Sequence, residues 1–377
     1  MRSLFWLLFL ACGTMASGVQ AQAEEDRWVF FGTYTGQGSE GIYVSRLSGS
    51  DGKLTEPVLA AQVTSPSFLA IHPSGNFLYA VSEVQTSDGK KGGGVTAFQL
   101  DQKNGKLIKI NDQWTGGAHP CHLSVDSSGK CLMVANYSGG NVASLPIHAD
   151  GSLGEMASLH QHAGSSINKQ RQEAPHAHSI NPDKSGKYAF AADLGTDEIR
   201  GYAIDTTTAK LTPHEMVKVP AGGGPRHFTF HPSGQFAYTN NELTSTVSVF
   251  RYDPTRGVLT ILGDPVSTLP ADFRGNNTTA EIRCHSNGKV LYVSNRGHNS
   301  IAIFEIQADG ALKLKGHVNT EGKTPRNYGL VGSYLLAANQ DSDNVVVFRM
   351  DAETGALTPT GHSVQVSKPV CVVGTGR

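Results

Sequence analysis

A block of about forty to fifty residues recurs along this chain, and that recurrence limits the possible folds more than any other feature. Its clearest copy is GGGPRHFTFHPSGQFAYTNNELTSTVSVFRYD, from Gly222 to Asp253. After Pro225, Phe228 and Phe230 fall on one side of a two-residue alternation and His227 and Thr229 on the other, as in a strand. Pro232-Ser233-Gly234 reads as a turn. A second strand is expected from Gln235 to Thr239, ending in Asn240-Asn241-Glu242, and a third from Thr246 to Tyr252. Further copies start at Ser65, His119, His176 and Thr279, a shortened one at Thr324, and a stump at Lys368. Their anchors are Pro66, Pro120, Ala177, Pro225, Thr279, Pro325 and Pro369, at intervals of 44 to 57 residues. Seven units at this spacing predict an all-β chain folded as a seven-bladed β-propeller of four-stranded blades.

The two ends complete one another. Trp28 to Tyr34 and Gly41 to Leu47 look like the second and third strands of a unit with no anchor strand before them. Lys368 to Gly374 looks like an anchor strand with nothing after it. Pairing the ends in one blade closes the ring and removes an exposed strand edge. Residues 24–377 are therefore expected to form one domain. Ahead of it, Met1-Arg2, the apolar run Leu4 to Cys12 and Ala21-Gln22-Ala23 predict a secretory signal cleaved after Ala23, with export to the periplasm or beyond. The apolar run is too short to span a bilayer. A lipoprotein reading at Cys12 fits less well, because Phe9-Leu10-Ala11 departs from the usual lipobox.

Charge and motifs exclude several classes of function. There are 31 basic and 32 acidic residues and no basic stripe, which argues against a nucleic-acid partner. The four cysteines of the processed chain, Cys121, Cys131, Cys284 and Cys371, fall in different strands of the repeat frame and are expected to be free thiols. No cysteine or histidine spacing suits a metal, and there is no nucleophile elbow, Walker loop or dinucleotide fingerprint. Neither metal nor cofactor is expected. Asp341-Ser342-Asp343-Asn344 lacks calcium-loop spacing and reads as a turn.

Several motifs in order, FGTYTGQGSEGIYV, PHAHS, GGGPRH, NNEL, AEIR, SNRG and ANQDSDNV, resemble the lactonase-type seven-bladed propellers. That family includes propeller 6-phosphogluconolactonases and the fungal carboxymuconate-lactonising cyclase. The resemblance covers essentially the whole processed chain. It implies a site in the cleft at one end of the central channel.

The repeats also align in columns. The residue after each anchor is Ser67, Cys121, His178, Arg226, Ala280, Arg326 or Val370. The second strand ends in Ser82, Asn136, Asp193, Asn241, Asn295 or Asn339, expected to bond turn backbone. The next position varies (Glu83, Tyr137, Leu194, Glu242, Arg296, Gln340), and function can be written there. The resemblance supports His178, Glu242 and Arg283 as catalytic candidates and Arg226 and Arg296 as substrate contacts. The insertion Gly164 to Glu173 reads equally as a solvated loop or as an overhang of the site that brings Arg171 onto an anionic ligand, and His227 is added as a substrate contact. His227 has the weaker claim it shares with His122 and His176, which read as channel or turn hydrogen-bonders. Arginines bind carboxylate or phosphate through paired hydrogen bonds, and a carboxylate or imidazole moves protons. The same charges would also serve as salt bridges between blades.

The expected activity is metal-independent opening of an anionic sugar-acid lactone by water. Glu242 would activate the water, His178 would assist, and Arg226 and Arg296 would orient the substrate. Arg283 would do likewise or hold Glu242. A muconate-type lactonising cyclase or isomerase, and an exported binding propeller without enzymatic activity, are the alternatives. Export counts against a phosphorylated substrate, which is made inside the cell.

Overall fold

The computed structural model describes residues 24–376 except 37 and 88, so the expected leader and Cys12 lie outside the described residues. Seven four-stranded antiparallel sheets stand in a ring. Their innermost strands are Leu69–Ile71, Pro120–Val125, Ala177–Pro182, Pro225–Phe230, Thr279–Cys284, Pro325–Val331 and Pro369–Gly374. Each touches the innermost strand of the next blade, and Pro369–Gly374 touches Leu69–Ile71 to complete the circle. The expected closure is present: Pro369–Gly374 pairs with Arg27–Thr33, with Phe31 opposite Val372, and Gly41–Leu47 and Val58–Gln62 follow outward. The first blade adds a small hairpin, Thr86–Ser87 with Lys90–Lys91, that the repeat pattern does not foreshadow.

Alternation places apolar side chains between blades. Phe190 packs on Phe228, with ring centroids 5.9 Å apart, and both bury against Phe250. Interblade contact is also polar in one repeated way. Tyr79, Tyr238, Tyr292 and Tyr334 are fully buried, and each donates its hydroxyl to a glycine carbonyl: Gly151 (3.1 Å), Gly310 (3.1 Å), Gly355 (2.6 Å) and Gly49 (3.1 Å). A buried tyrosine needs such a partner. Gly310 has φ +87, and a Cβ there would lie 2.4 Å from the Phe236 ring, so glycine is required.

The inner strands share a distortion that shapes the site. In six of them the register slips within two or three residues of the anchor, as between Pro225 and Phe228. Ser65, His119, Thr324 and Lys368, each just before an anchor proline, have φ of 45, 52, 57 and 47. A bulge leaves one residue unpaired and re-aims its neighbours. As a result Arg226 and His227, adjacent in sequence, line the same pocket.

Most polar ends of the second strands bond backbone as expected, whereas Asn241 donates to the Thr246 and Ser248 hydroxyls, both at 2.9 Å. Asn136, Asn295 and Asn339 are buried and donate to the carbonyls of Thr115 (2.9 Å), Thr268 (3.0 Å) and Thr320 (3.0 Å). Cys121, Cys131, Cys284 and Cys371 are all free, and all but Cys284 are buried.

Candidate active site

Glu242 is the hub of one mouth of the channel. It follows the second-strand tip of the fourth blade, and its side chain is 3% exposed. Three guanidiniums reach it from three directions. Arg171 Nη2 lies 2.8 Å from Oε1, Arg226 Nε lies 2.9 Å from Oε2, and Arg296 Nη2 lies 3.0 Å from Oε2. Burial alone would push this carboxyl up. Arg296, Arg226 and Arg171 outweigh burial and hold it down at about 2. Burial pushes Arg296 down to about 10, against the pull of Glu242.

Arg226 is anchored from below. Its Nη1 donates to the Ala280 carbonyl at 2.6 Å and lies 3.3 Å from His227 Nε2. The Arg296 Nε–H is buried with no hydrogen-bond partner among the described residues, whereas Arg226 Nε is taken up by Glu242. Buried donors of this kind are costly unless a partner arrives.

The insertion does overhang the mouth. Arg171 also donates to the Tyr137 hydroxyl at 3.1 Å. The loop is pinned by the buried Gln172, whose amide donates to Leu194 O (2.9 Å) and Asp197 Oδ1 (2.7 Å). Asp197 also accepts from the backbone of Gly222 and Gly224, both at 2.7 Å. One carboxylate thus ties the insertion to the glycine turn that presents Arg226.

His178 is buried in the same region. Its Nδ1 is 3.7 Å from Cys121 Sγ, and its ring meets Tyr137 edge-on at 5.3 Å. Burial first, then Arg226 and His227, push it well below the ordinary imidazole value, so it is neutral. The opposite wall holds four residues left out of the expected set. Arg326 Nη2 donates to the Tyr34 hydroxyl at 3.0 Å, which donates to Glu83 Oε2 at 3.1 Å. Ser67 also donates to that oxygen. Together with His178 and Arg226, these residues line one narrow pocket. Four guanidiniums (Arg171, Arg226, Arg296, Arg326) face two carboxylates (Glu242, Glu83), so the mouth is net cationic.

Arg326 and Glu83 occupy the very columns that supplied Arg226 and Glu242, and Tyr34 follows the tip of the split blade's second strand. Reading those columns around the full ring finds them.

Two expected members sit deeper. His227 lies below Arg226, with Nδ1 3.2 Å from Glu281 Oε2. Burial lowers it to about 4, against Glu281. Arg283 is not beside Glu242. Its Nε lies 3.5 Å from Glu281 Oε1, and it lines the cavity at the other end of the channel. It stands four residues past its anchor, against one for Arg226, which is about 10 Å farther along a strand. Glu281, which sequence reasoning missed, is 3% exposed and accepts from Asn327 as well. Burial opposes its ionisation, but Arg283 and His227 hold it down at about 2. His122 packs on Phe68 in this layer, and His176 stacks on Tyr137, as expected of structural histidines. Among the described residues no cluster of His, Cys, Asp or Glu suits a metal ion, and no helix is long and apolar enough to cross a membrane.

Comparison with known proteins agrees with this architecture. Residues 28–374 match the model of the family described as "Lactonase, 7-bladed beta-propeller". The 6-phosphogluconolactonase of Bacillus subtilis is 38% identical over 346 residues, which is 91% of this chain and 97% of that protein. That of Formosa agariphila is 36% identical, over 87% of this chain and 94% of its own. Among solved structures, the periplasmic gluconolactonase PpgL of Pseudomonas aeruginosa superposes with a TM-score of 0.87 at 33% identity, over 93% of this chain and 99% of its own. With seven blades, a ring closed by both termini and this match along nearly its whole described length, the chain belongs to the lactonase family of seven-bladed β-propellers.

Proposed function

We propose that the chain hydrolyses a sugar-acid lactone in the Glu242 mouth. The observation that carries this reading is the convergence of Arg171, Arg226 and Arg296 on one buried carboxylate. Guanidiniums in that arrangement stabilise the oxyanion that forms when water adds to a ring carbonyl.

Glu242 accepts the proton of the attacking water. At about 2 it is a weak base in the free protein. Substrate oxygens that draw the guanidiniums away remove the cause of that low value. Burial then acts alone and raises it. Water oxygen bonds to the carbonyl carbon, and the tetrahedral adduct collapses with cleavage of the ring C–O bond. The leaving alkoxide regains the proton from Glu242, with neutral His178 beside it to share the transfer. Tyr34, Glu83 and Arg326 form the facing wall and contact the sugar hydroxyls. No step uses a metal.

The apolar leader favours export, and an exported enzyme meets unphosphorylated lactones. The likeness to a periplasmic gluconolactonase supports the same choice. The test is turnover of the processed chain on D-glucono-δ-lactone, its 6-phosphorylated form and a muconate, side by side. Ring opening of the unphosphorylated lactone well above the buffer rate is expected. Cyclisation of the muconate alone would overturn the reading.

A further inference from the structure

Arg283 is unexplained by the site above. It projects into a cavity of about 720 Å³ at the opposite end of the channel. That cavity exists because the inward side chains at this depth are short: Ala70, Ser124, Asn181, Thr229 and Val373. Arg283 is the exception. Its side chain is 33% exposed and lines this cavity, and its ion pair with Glu281 is a long one, 3.5 Å from Nε. The buried Nε lies too far from Glu281 Oε1 for a well-formed hydrogen bond. Glu281 is meanwhile shared among His227, Asn327 and the Ile282 backbone, so it does not saturate the guanidinium. Burial disfavours the charge, but Glu281 outweighs it and keeps Arg283 protonated. The other cation lining the cavity, Arg27, donates to the carbonyls of Thr375 and Gly376, so two guanidiniums face one carboxylate.

A wall of rings separates this cavity from the Glu242 mouth. Phe68, His122 and His227 pack together with centroids 4.2, 5.3 and 5.7 Å apart. A ligand in one compartment does not occupy the other.

We propose that the lower cavity is a second anion-binding site, in which Arg283 grips a small oxyanion, a carboxylate or a phosphate, through its Nη groups. A guanidinium fork matches either group with two parallel hydrogen bonds. The enclosed setting strengthens the contact relative to a surface arginine. Ser124, Asn181 and Thr229 offer polar atoms for the rest of a hydroxylated ligand such as a sugar acid.

Calorimetric titration with inorganic phosphate and, separately, gluconate tests this on the unaltered chain, Arg283→Gln and Arg296→Gln. For at least one anion, Arg283→Gln is expected to lose one binding event or weaken it at least tenfold, while Arg296→Gln retains that event. Which anion shows the loss identifies phosphate or sugar-acid carboxylate as the ligand. Unchanged binding of both anions by Arg283→Gln would overturn the proposal. Should that variant fail to fold, phenylglyoxal labelling of the unaltered chain decides. Either anion should slow modification of Arg283 at least tenfold, and absence of protection by both would refute the site.

Discussion

At the level of single residues, the site is governed by how three guanidiniums and burial compete over Glu242. Its folded pKa is depressed, so the ion pairs stabilise the fold above the ordinary carboxylate range and lose that contribution as pH falls towards 2. The same competition gives a kinetic expectation. The acid limb of kcat/KM reports the free protein and should lie near 2, whereas that of kcat reports the complex and should lie higher. Superimposed acid limbs in the two profiles would rule out the release of Glu242 by substrate. Arg226→Lys keeps charge but cannot supply Nε and Nη1 together, so KM should rise about tenfold or more with a smaller change in kcat. A variant with unchanged KM and depressed kcat would instead make Arg226 a group acting only in the transition state.

At the level of strands and turns, the tips of the second strands hold the mouth in shape. Asp193 is the strongest case. It is fully buried, pairs with His162 Nδ1 at 2.5 Å, and accepts from the backbone of His176 (2.8 Å), Gly195 (2.9 Å) and Thr196 (3.1 Å). Burial opposes its charge, but His162 and the backbone donors win and lower its pKa. Asp193→Ala should cost about 3 kcal/mol, since it strands several buried donors of which one is an imidazole. Denaturant unfolding checks this, and a loss below about 1 kcal/mol would contradict it.

The anchor prolines and the two-residue alternation made these strands legible, because each blade repeats one local code. Gly41–Leu47 falls on the residues expected. Depth within the channel was harder to read. Arg226 and Arg283 both belong to motif-rich inner strands, but an inner strand runs from one mouth to the other. Three residues of offset are enough to move a side chain between compartments. The bulge after most anchors, as after Pro225, further turns consecutive residues the same way, which simple alternation does not foresee. An overhang by the insertion was suggested by its position, yet the contact of Arg171 with Glu242 and the pinning by Gln172 and Asp197 rest on long-range contacts that no local pattern encodes.

At the level of the whole molecule, closure of the ring rests on Pro369–Gly374, where Cys371 and Val372 are fully buried. Ending the chain before Lys368 uncovers the edge of Arg27–Thr33 and opens the seventh blade. Cooperative thermal unfolding should disappear, and a truncated chain that melts like the parent would show the closure to be dispensable. The closed ring also fixes the mutual placement of side chains from several blades, which is what lets arginines from blades far apart in sequence meet one glutamate. The most direct measurement is therefore the turnover of D-glucono-δ-lactone by chelator-treated residues 24–377, compared with the Glu242→Gln variant after both are shown to melt alike. The parent should open the lactone without added metal, and the variant should be slower by on the order of 10²–10⁴. A variant as fast as the parent, or a folded parent no faster than buffer on any lactone, would contradict catalysis at the Glu242 mouth.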